Sequence, residues 1–121
     1  MGITKKILVI DDDSDILDLI DAFLYSSGLK IYTALDMLKA QVILKMNNID
    51  IILTDYHIGH TKADLYVKRL KSINNIPIVL MTALPSNKIN NKLKSLGFDS
   101  VIPKPIDSKK LIQTIIQHIK K

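Results

Sequence analysis

The chain has 121 residues, is 47% hydrophobic and carries a formal net charge of +5. That length suits one domain, expected to span residues 1–121, with apolar residues enough for a real core. There is no uncharged apolar run of ~18 residues, which excludes a membrane-spanning helix of that kind. There is also no cysteine, which excludes disulfides, thiolate metal sites and thiol catalysis. Met1 to Lys6 lead straight into an apolar strand without a signal peptide's apolar region, which points to the cytoplasm. The positive charge invites a nucleic-acid reading. However, the 17 basic residues are scattered, Arg69 is the only Arg, and no binding motif accompanies them. They read as a solvated lysine-rich surface with no direct nucleic-acid contact. All twelve acidic residues are Asp, a bias for which the physics of the chain offers no reason.

Strand and helix alternate five times. Lys6 to Asp11 form a first strand around Ile7-Leu8-Val9-Ile10. Ser14 is the expected N-cap of a helix, with Asp15 in its first turn where the helix dipole favours negative charge. Ile16, Leu17, Ile20, Phe23 and Leu24 recur at helical spacing, and Gly28 marks the stop. Leu29 to Ala34 make a second strand. Asp36 caps a second helix with Leu38, Val42, Ile43 and Met46 as its apolar stripe, and Asn47-Asn48 breaks it. Ile49-Asp50-Ile51-Ile52-Leu53-Thr54-Asp55 is a short run rich in Ile, suited to a strand buried on both faces of a parallel sheet.

Tyr56 to Thr61 read as a loop without periodicity. A third helix runs from about Lys62 to Ser72, burying Leu65, Val67 and Leu70, and Asn74-Asn75 ends it. Pro77 to Met81 form the fourth strand, where Pro is tolerated at the start. Thr82 to Ser86 make a turn, with Ser86 as N-cap. The fourth helix, Asn87 to Leu96, is the most polar, with Ile89, Leu93 and Leu96 as its apolar positions and Gly97 after it. Asp99 to Pro103 are the fifth strand. Lys104-Pro105 precedes a helix capped at Asp107, whose buried face comprises Ile106, Leu111, Ile112, Ile115, Ile116 and Ile119. Such alternation predicts a parallel sheet with helices on both faces and right-handed crossovers.

In a sheet of this kind the carboxyl ends of the strands share one edge, and ligands bind there. The first strand delivers Asp11-Asp12, the third Asp55, the fourth Thr82, and Lys104 follows the fifth. Three crowded carboxylates repel one another unless something neutralises them. A hard divalent cation such as Mg²⁺ does so through oxygen ligands. Lys104 and Thr82 can then balance and hydrogen-bond a transferring group, and a carboxylate nucleophile gives an acyl phosphate.

These residues carry a resemblance. Ile7-Leu8-Val9-Ile10-Asp11-Asp12, Ile52-Leu53-Thr54-Asp55, Val79-Leu80-Met81-Thr82-Ala83 and Lys104-Pro105, in this order and spacing, resemble the receiver domains of two-component response regulators over essentially the whole chain. The resemblance implies a flavodoxin-like (βα)5 fold with a five-stranded parallel sheet in the order 2-1-3-4-5. It also implies that Asp55 is the phosphoacceptor. Asp12 would bind Mg²⁺ directly, Asp11 largely through water, and the backbone carbonyl of His57 would add a ligand. Thr82 and Ala83 would contact the phosphoryl group, with Thr82 the switch hydroxyl, and Lys104 would pair with it. Lys104-Pro105 would be cis. The implied phosphoryl source is a sensor histidine kinase or a histidine phosphotransfer protein. The implied output is contact with a downstream protein or effector domain. The polar fourth helix, with Lys88, Lys92 and Lys94, is the expected surface. A homodimer through the fourth helix, fifth strand and fifth helix is one form such contact takes. The chain would not be an enzyme in the ordinary sense, catalysing only its own phosphorylation and dephosphorylation.

Departures from the family pattern qualify this. Val101 stands where an aromatic residue is common, and a β-branched side chain has no ring to reorient, so either the coupling runs through Thr82 and the loop before the fourth helix or the switch is weak. Gly59 stands where Pro is common and Ala63 where Gly is common, so a different or looser path is expected after Asp55. Leu84, two residues past Thr82, cannot position an attacking water, so slow autodephosphorylation is expected. Asp13 belongs to the helix entry, and His57 and His60 read as ordinary loop side chains. Two rivals stand beside the main reading. One is a pseudo-receiver that binds partners without phosphorylation. The other is a small phosphatase resembling the haloacid-dehalogenase family, suggested by Asp11-x-Asp13-Ser14 and Thr82. That rival lacks the family's late acidic motif and leaves Lys104-Pro105 unexplained.

Overall fold

The computed structural model describes residues 4–73, 75–83 and 86–119, leaving aside the side chains of 63, 64 and 86–90. Five strands form one sheet: β1 (Lys6–Ile10), β2 (Lys30–Ala34), β3 (Ile51–Asp55), β6 (Ile78–Thr82) and β7 (Ser100–Pro103). They are ordered β2-β1-β3-β6-β7, and every pairing is parallel. This is the flavodoxin-like doubly wound fold, with the expected 2-1-3-4-5 order once the two short strands after β3, which form a separate ladder, are left out of the count. Side chains alternate between the faces along each strand. Leu8, Ile10 and Ile52 face a core closed by α2 (Met37–Met46), α3 (Ala63–Ile73) and α4 (Ser86–Leu96). Ile7, Val9, Ile51 and Leu53 face a second core closed by α1 (Ser14–Leu24) and α5 (Ser108–Ile119). With both faces covered, the central strands must be apolar throughout, which is why they read as unbroken runs.

Several local expectations are corrected. The N-cap of α1 is Asp13, not Ser14: Asp13 is extended, and its carboxylate accepts from the Asp15 amide at 2.9 Å. Helix α1 also stops at Leu24, four residues before Gly28, which has φ +84. The apolar stripe of α2 has a different phase. Leu38, Val42 and Met46 are 76%, 54% and 77% exposed, while Ala40 and Leu44 are buried and Met37 and Ile43 pack beside them. Both phases satisfy helical spacing, and the small Ala40 lets this face approach the sheet. On α3, Leu65 is 68% exposed, and the buried residues are Tyr66, Val67 and Leu70. Ile116 on α5 is exposed. Asp107 does cap α5, accepting from the Lys109 amide at 3.1 Å. Leu84 lies outside the described residues, as do the side chains of Ser86, Lys88 and Ile89.

The stretch after Asp55 is not an irregular loop. β4 (His57–Ile58) and β5 (Thr61–Lys62) form a small antiparallel ladder closed by Gly59-His60. Gly59 has φ +62, while every described non-glycine residue has negative φ. Left-handed backbone at the first central residue alone is the pattern of a type II′ hairpin, which favours Gly there. Proline, with φ fixed near −65°, has no access to that conformation. The departure at position 59 thus gives the chain a closed turn rather than a looser path.

Candidate functional site

Register brings the site together. Ile10 pairs with Thr54 and with Ala34, Asp55 with Met81, and Thr82 with Pro103, so the strands end level with one another. Just past those ends, Asp11, Asp12 and Asp55 each offer a carboxylate oxygen, all within 4.8 Å of one another. Asp11 is fully buried, Asp12 is exposed and Asp55 lies between. Lys104 reaches in from beyond β7, with its Nζ 3.0 Å from Asp55 Oδ1 and 3.2 Å from Asp11 Oδ2. Its backbone N–H donates to the Thr82 carbonyl at 2.8 Å, and the Lys104-Pro105 peptide is cis as expected. Thr82 is buried beside them. Asp55, Tyr56, His57, Thr82, Ala83 and Lys104 line a cleft of about 310 Å³. Among the described residues, the acidic cluster, Thr82, Ala83 and Lys104 are therefore at this edge, whereas Val101 sits back in β7, half-buried against the core on the α2–α4 side.

Electrostatics mark the same place. Burial pushes the Asp11 carboxyl above the usual carboxylate range, and the charge of Asp55 adds to this. The Asp13 amide, which donates to Asp11 Oδ1 at 2.9 Å, and Lys104 pull only partly the other way. Burial works to lower the Lys104 ammonium, but the hydrogen bond to Asp55 and the charges of Asp11 and Asp55 outweigh it and hold the ammonium above its ordinary value. Asp12 is fixed differently, accepting from the Gly59 amide at 3.1 Å, which draws the hairpin tip over the cluster. Asp13 faces away from the cluster's work as the α1 cap, which leaves the haloacid-dehalogenase-like reading without its second acidic group.

Two residues were not singled out from the sequence. Tyr66 is buried under the end of β3, and its hydroxyl donates to the Asp55 carbonyl and lies 3.2 Å from the Thr54 hydroxyl. A signal was present: Tyr66, Leu70 and Ile73 recur at helical spacing, a phase that the reading through Leu65 passed over.

Comparison with known proteins agrees with this geometry. The family model described as the response regulator receiver domain matches residues 7–116. The chain belongs to the response regulator receiver domain family. This receiver is 27% identical over 112 residues to a transcriptional regulatory protein CpxR homolog of Haemophilus influenzae, covering 92% of this chain and 48% of that one. It is 28% identical over 115 residues to the DNA-binding dual master transcriptional regulator RpaA of Synechocystis, covering 91% and 47%. The receiver spans about half the length of these curated relatives. Among solved structures, a two-component response regulator from Clostridium difficile superposes with a TM-score of 0.90 at 23% identity, covering 98% of each chain. Chemotaxis protein CheY4 of Vibrio cholerae gives 0.87 at 22% identity, covering 96% and 99%. At those identities the two establish the fold. The receiver domain of Francisella response regulator 1452 gives 0.87 at 27%, covering 97% and 98%.

Proposed function

We propose that this receiver is a phosphoacceptor: a histidine phosphate on a partner donates its phosphoryl group to Asp55 in a Mg²⁺-dependent transfer. The partner is a sensor histidine kinase or a histidine phosphotransfer protein. The observation that carries the reading is the cluster of Asp11, Asp12 and Asp55 within 4.8 Å, with the Lys104 ammonium 3.0 Å from Asp55. The donor set fits a hard divalent cation, since it is all oxygen and includes one carboxylate sealed from water. Asp11, Asp12, Asp55 and the His57 carbonyl would hold the ion. Once bound, it would supply neutralising charge between an anionic nucleophile and an anionic donor.

An Asp55 oxygen attacks phosphorus, the P–N bond to the donor imidazole breaks, and the imidazole leaves with the electron pair. Lys104 follows the negative charge onto the transferred group, while Thr82 and Ala83 border the cleft where its oxygens would lie. The aspartyl phosphate then biases a two-state equilibrium at the face of α4, β7 and α5. With Val101 in place of an aromatic residue, the coupling runs through Thr82, whose carbonyl is tied to the Lys104 amide, and into the start of α4. Output goes to a downstream protein or effector domain, in keeping with relatives that carry a further half. The chemistry stays on the receiver's own carboxylate, so the chain turns over no separate substrate.

The test is intact mass after incubation with a small acyl-phosphate donor and Mg²⁺. The wild type gains one phosphoryl group, and Asp55→Asn and chelated wild type gain none. An unmodified wild type would instead support the phosphorylation-independent reading, and a gain in Asp55→Asn would place the acceptor elsewhere.

A further inference from the structure

β3 is apolar until its end, where Thr54 breaks the run with a hydroxyl that is fully buried. By strand alternation Thr54 faces the same side as Ile52, toward α3, and there it meets the equally buried Tyr66 hydroxyl at 3.2 Å. Burying two hydroxyls costs stability unless they are hydrogen-bonded, and Val and Phe would fill the same space at no such cost. These two are not idle. The Tyr66 hydroxyl donates to the Asp55 carbonyl and sits 3.4 Å from the Tyr56 carbonyl. The Thr54 hydroxyl lies 3.2 Å from the Asp55 carbonyl as well. Burial raises the Tyr66 phenol above its ordinary value, so it keeps its proton and remains a donor throughout the physiological range.

The consequence is mechanical. The two peptides that lead out of the acceptor strand are gripped from below by one hydroxyl on α3. The hairpin that follows is held from above at its tip, where the Gly59 amide meets Asp12. Between these two points lies His57, with Tyr56 packed edge-on against its ring at 4.8 Å. Nothing else among the described side chains reaches both carbonyls.

We infer that Tyr66, backed by Thr54, is a positioning residue for the acceptor site: it fixes the Asp55 and Tyr56 peptides and thereby the direction in which the chain passes the carboxylate cluster. Its purpose rests on the phosphoacceptor reading, but the geometry does not. Outer groups that orient metal ligands typically change affinity by about 10–100-fold when removed.

Two measurements separate the claims. In metal-free protein, Tyr66→Phe keeps the ring in the core but removes the grip. Amide hydrogen exchange across the β4–β5 hairpin then accelerates at least tenfold beyond any change in the β1 amides, which report global stability. Thr54→Val moves the same amides in the same direction, and Thr54→Ser restores them. Equal changes in the hairpin and in β1 would overturn the positioning role and leave Tyr66 a core filler. Titration with Mg²⁺ alone, followed by the Asp12 and Gly59 amide resonances, weakens about tenfold in Tyr66→Phe. A faster-exchanging hairpin with unchanged Mg²⁺ affinity would overturn the link to the site. A wild type that takes up no Mg²⁺ would refute the proposed function, while the metal-free exchange would still decide the grip.

Discussion

Asp11 is a carboxyl group in a poor place for an anion. It is sealed from water, with two further carboxylates within reach of its own and a single ammonium shared with Asp55. Because its carboxyl is raised in the folded state, folded protein holds this proton more tightly than unfolded protein. The stability this proton contributes is complete below the ordinary value of 3.8 and is lost as pH rises through the raised folded value. In metal-free protein, ionising Asp11 as pH rises therefore costs stability. Asp11→Asn should melt higher than wild type in chelator at pH 7, with the advantage shrinking toward zero near pH 4; thermal melts across that range check it. An Asn variant less stable than wild type at neutral pH would mean that the Lys104 pairing outweighs desolvation. Lys104 behaves similarly at the alkaline end: its contribution is whole below 10.5 and disappears as pH passes its raised value. The acidic residues and Lys104 were legible in the sequence because each follows directly on an apolar run. The roles of Tyr66 and Thr54 were not: helical spacing and the buried run marked both positions as inward-facing, but neither says that two hydroxyls meet there.

Elements divide along a similar line. The buried strands announced themselves, since a parallel sheet covered on both faces leaves no polar position to interrupt the run. Helix phase was harder. α2 offers two apolar rows, and only packing against the sheet decides between Ala40 with Leu44 and Leu38 with Met46. Chemical denaturation should therefore separate them: Leu44→Ala costs about 2–5 kcal/mol as a cavity, and Leu38→Ala stays within about 0.5 kcal/mol, as for other exposed positions. The cap at Asp36, whose carboxylate accepts from the Lys39 amide at 2.8 Å, was legible as a polar residue ahead of an apolar stretch. Asp36→Ala should cost about 1 kcal/mol in the same assay. The hairpin after Asp55 escaped notice because two-residue strands are too short to show a period, and only the sign of φ at Gly59 reveals why glycine stands there.

For the whole molecule, a divalent ion held by the cluster, as proposed, would couple its binding to the folding equilibrium. A ligand that binds only folded protein stabilises it by about 2.7 kcal/mol at a hundredfold excess over its Kd. Mg²⁺ should thus raise the melting midpoint of wild type in a concentration-dependent way, and Asp12→Asn should abolish the shift without lowering the metal-free midpoint, since Asp12 is exposed. The overall architecture was legible because alternation of strand and helix admits few parallel arrangements. No helix among the described residues is long and apolar enough to cross a membrane.

The strand order also has a consequence for synthesis. β3 lies between β1, which precedes it in the chain, and β6, which starts 23 residues after β3 ends at Asp55. As the nascent polypeptide leaves the ribosome, residues up to Asp55 can already pair on one side, but the other side stays bare until Ile78–Thr82 emerges. Lys104 arrives later still. A half-made copy therefore presents its aspartates without the ammonium or the threonine.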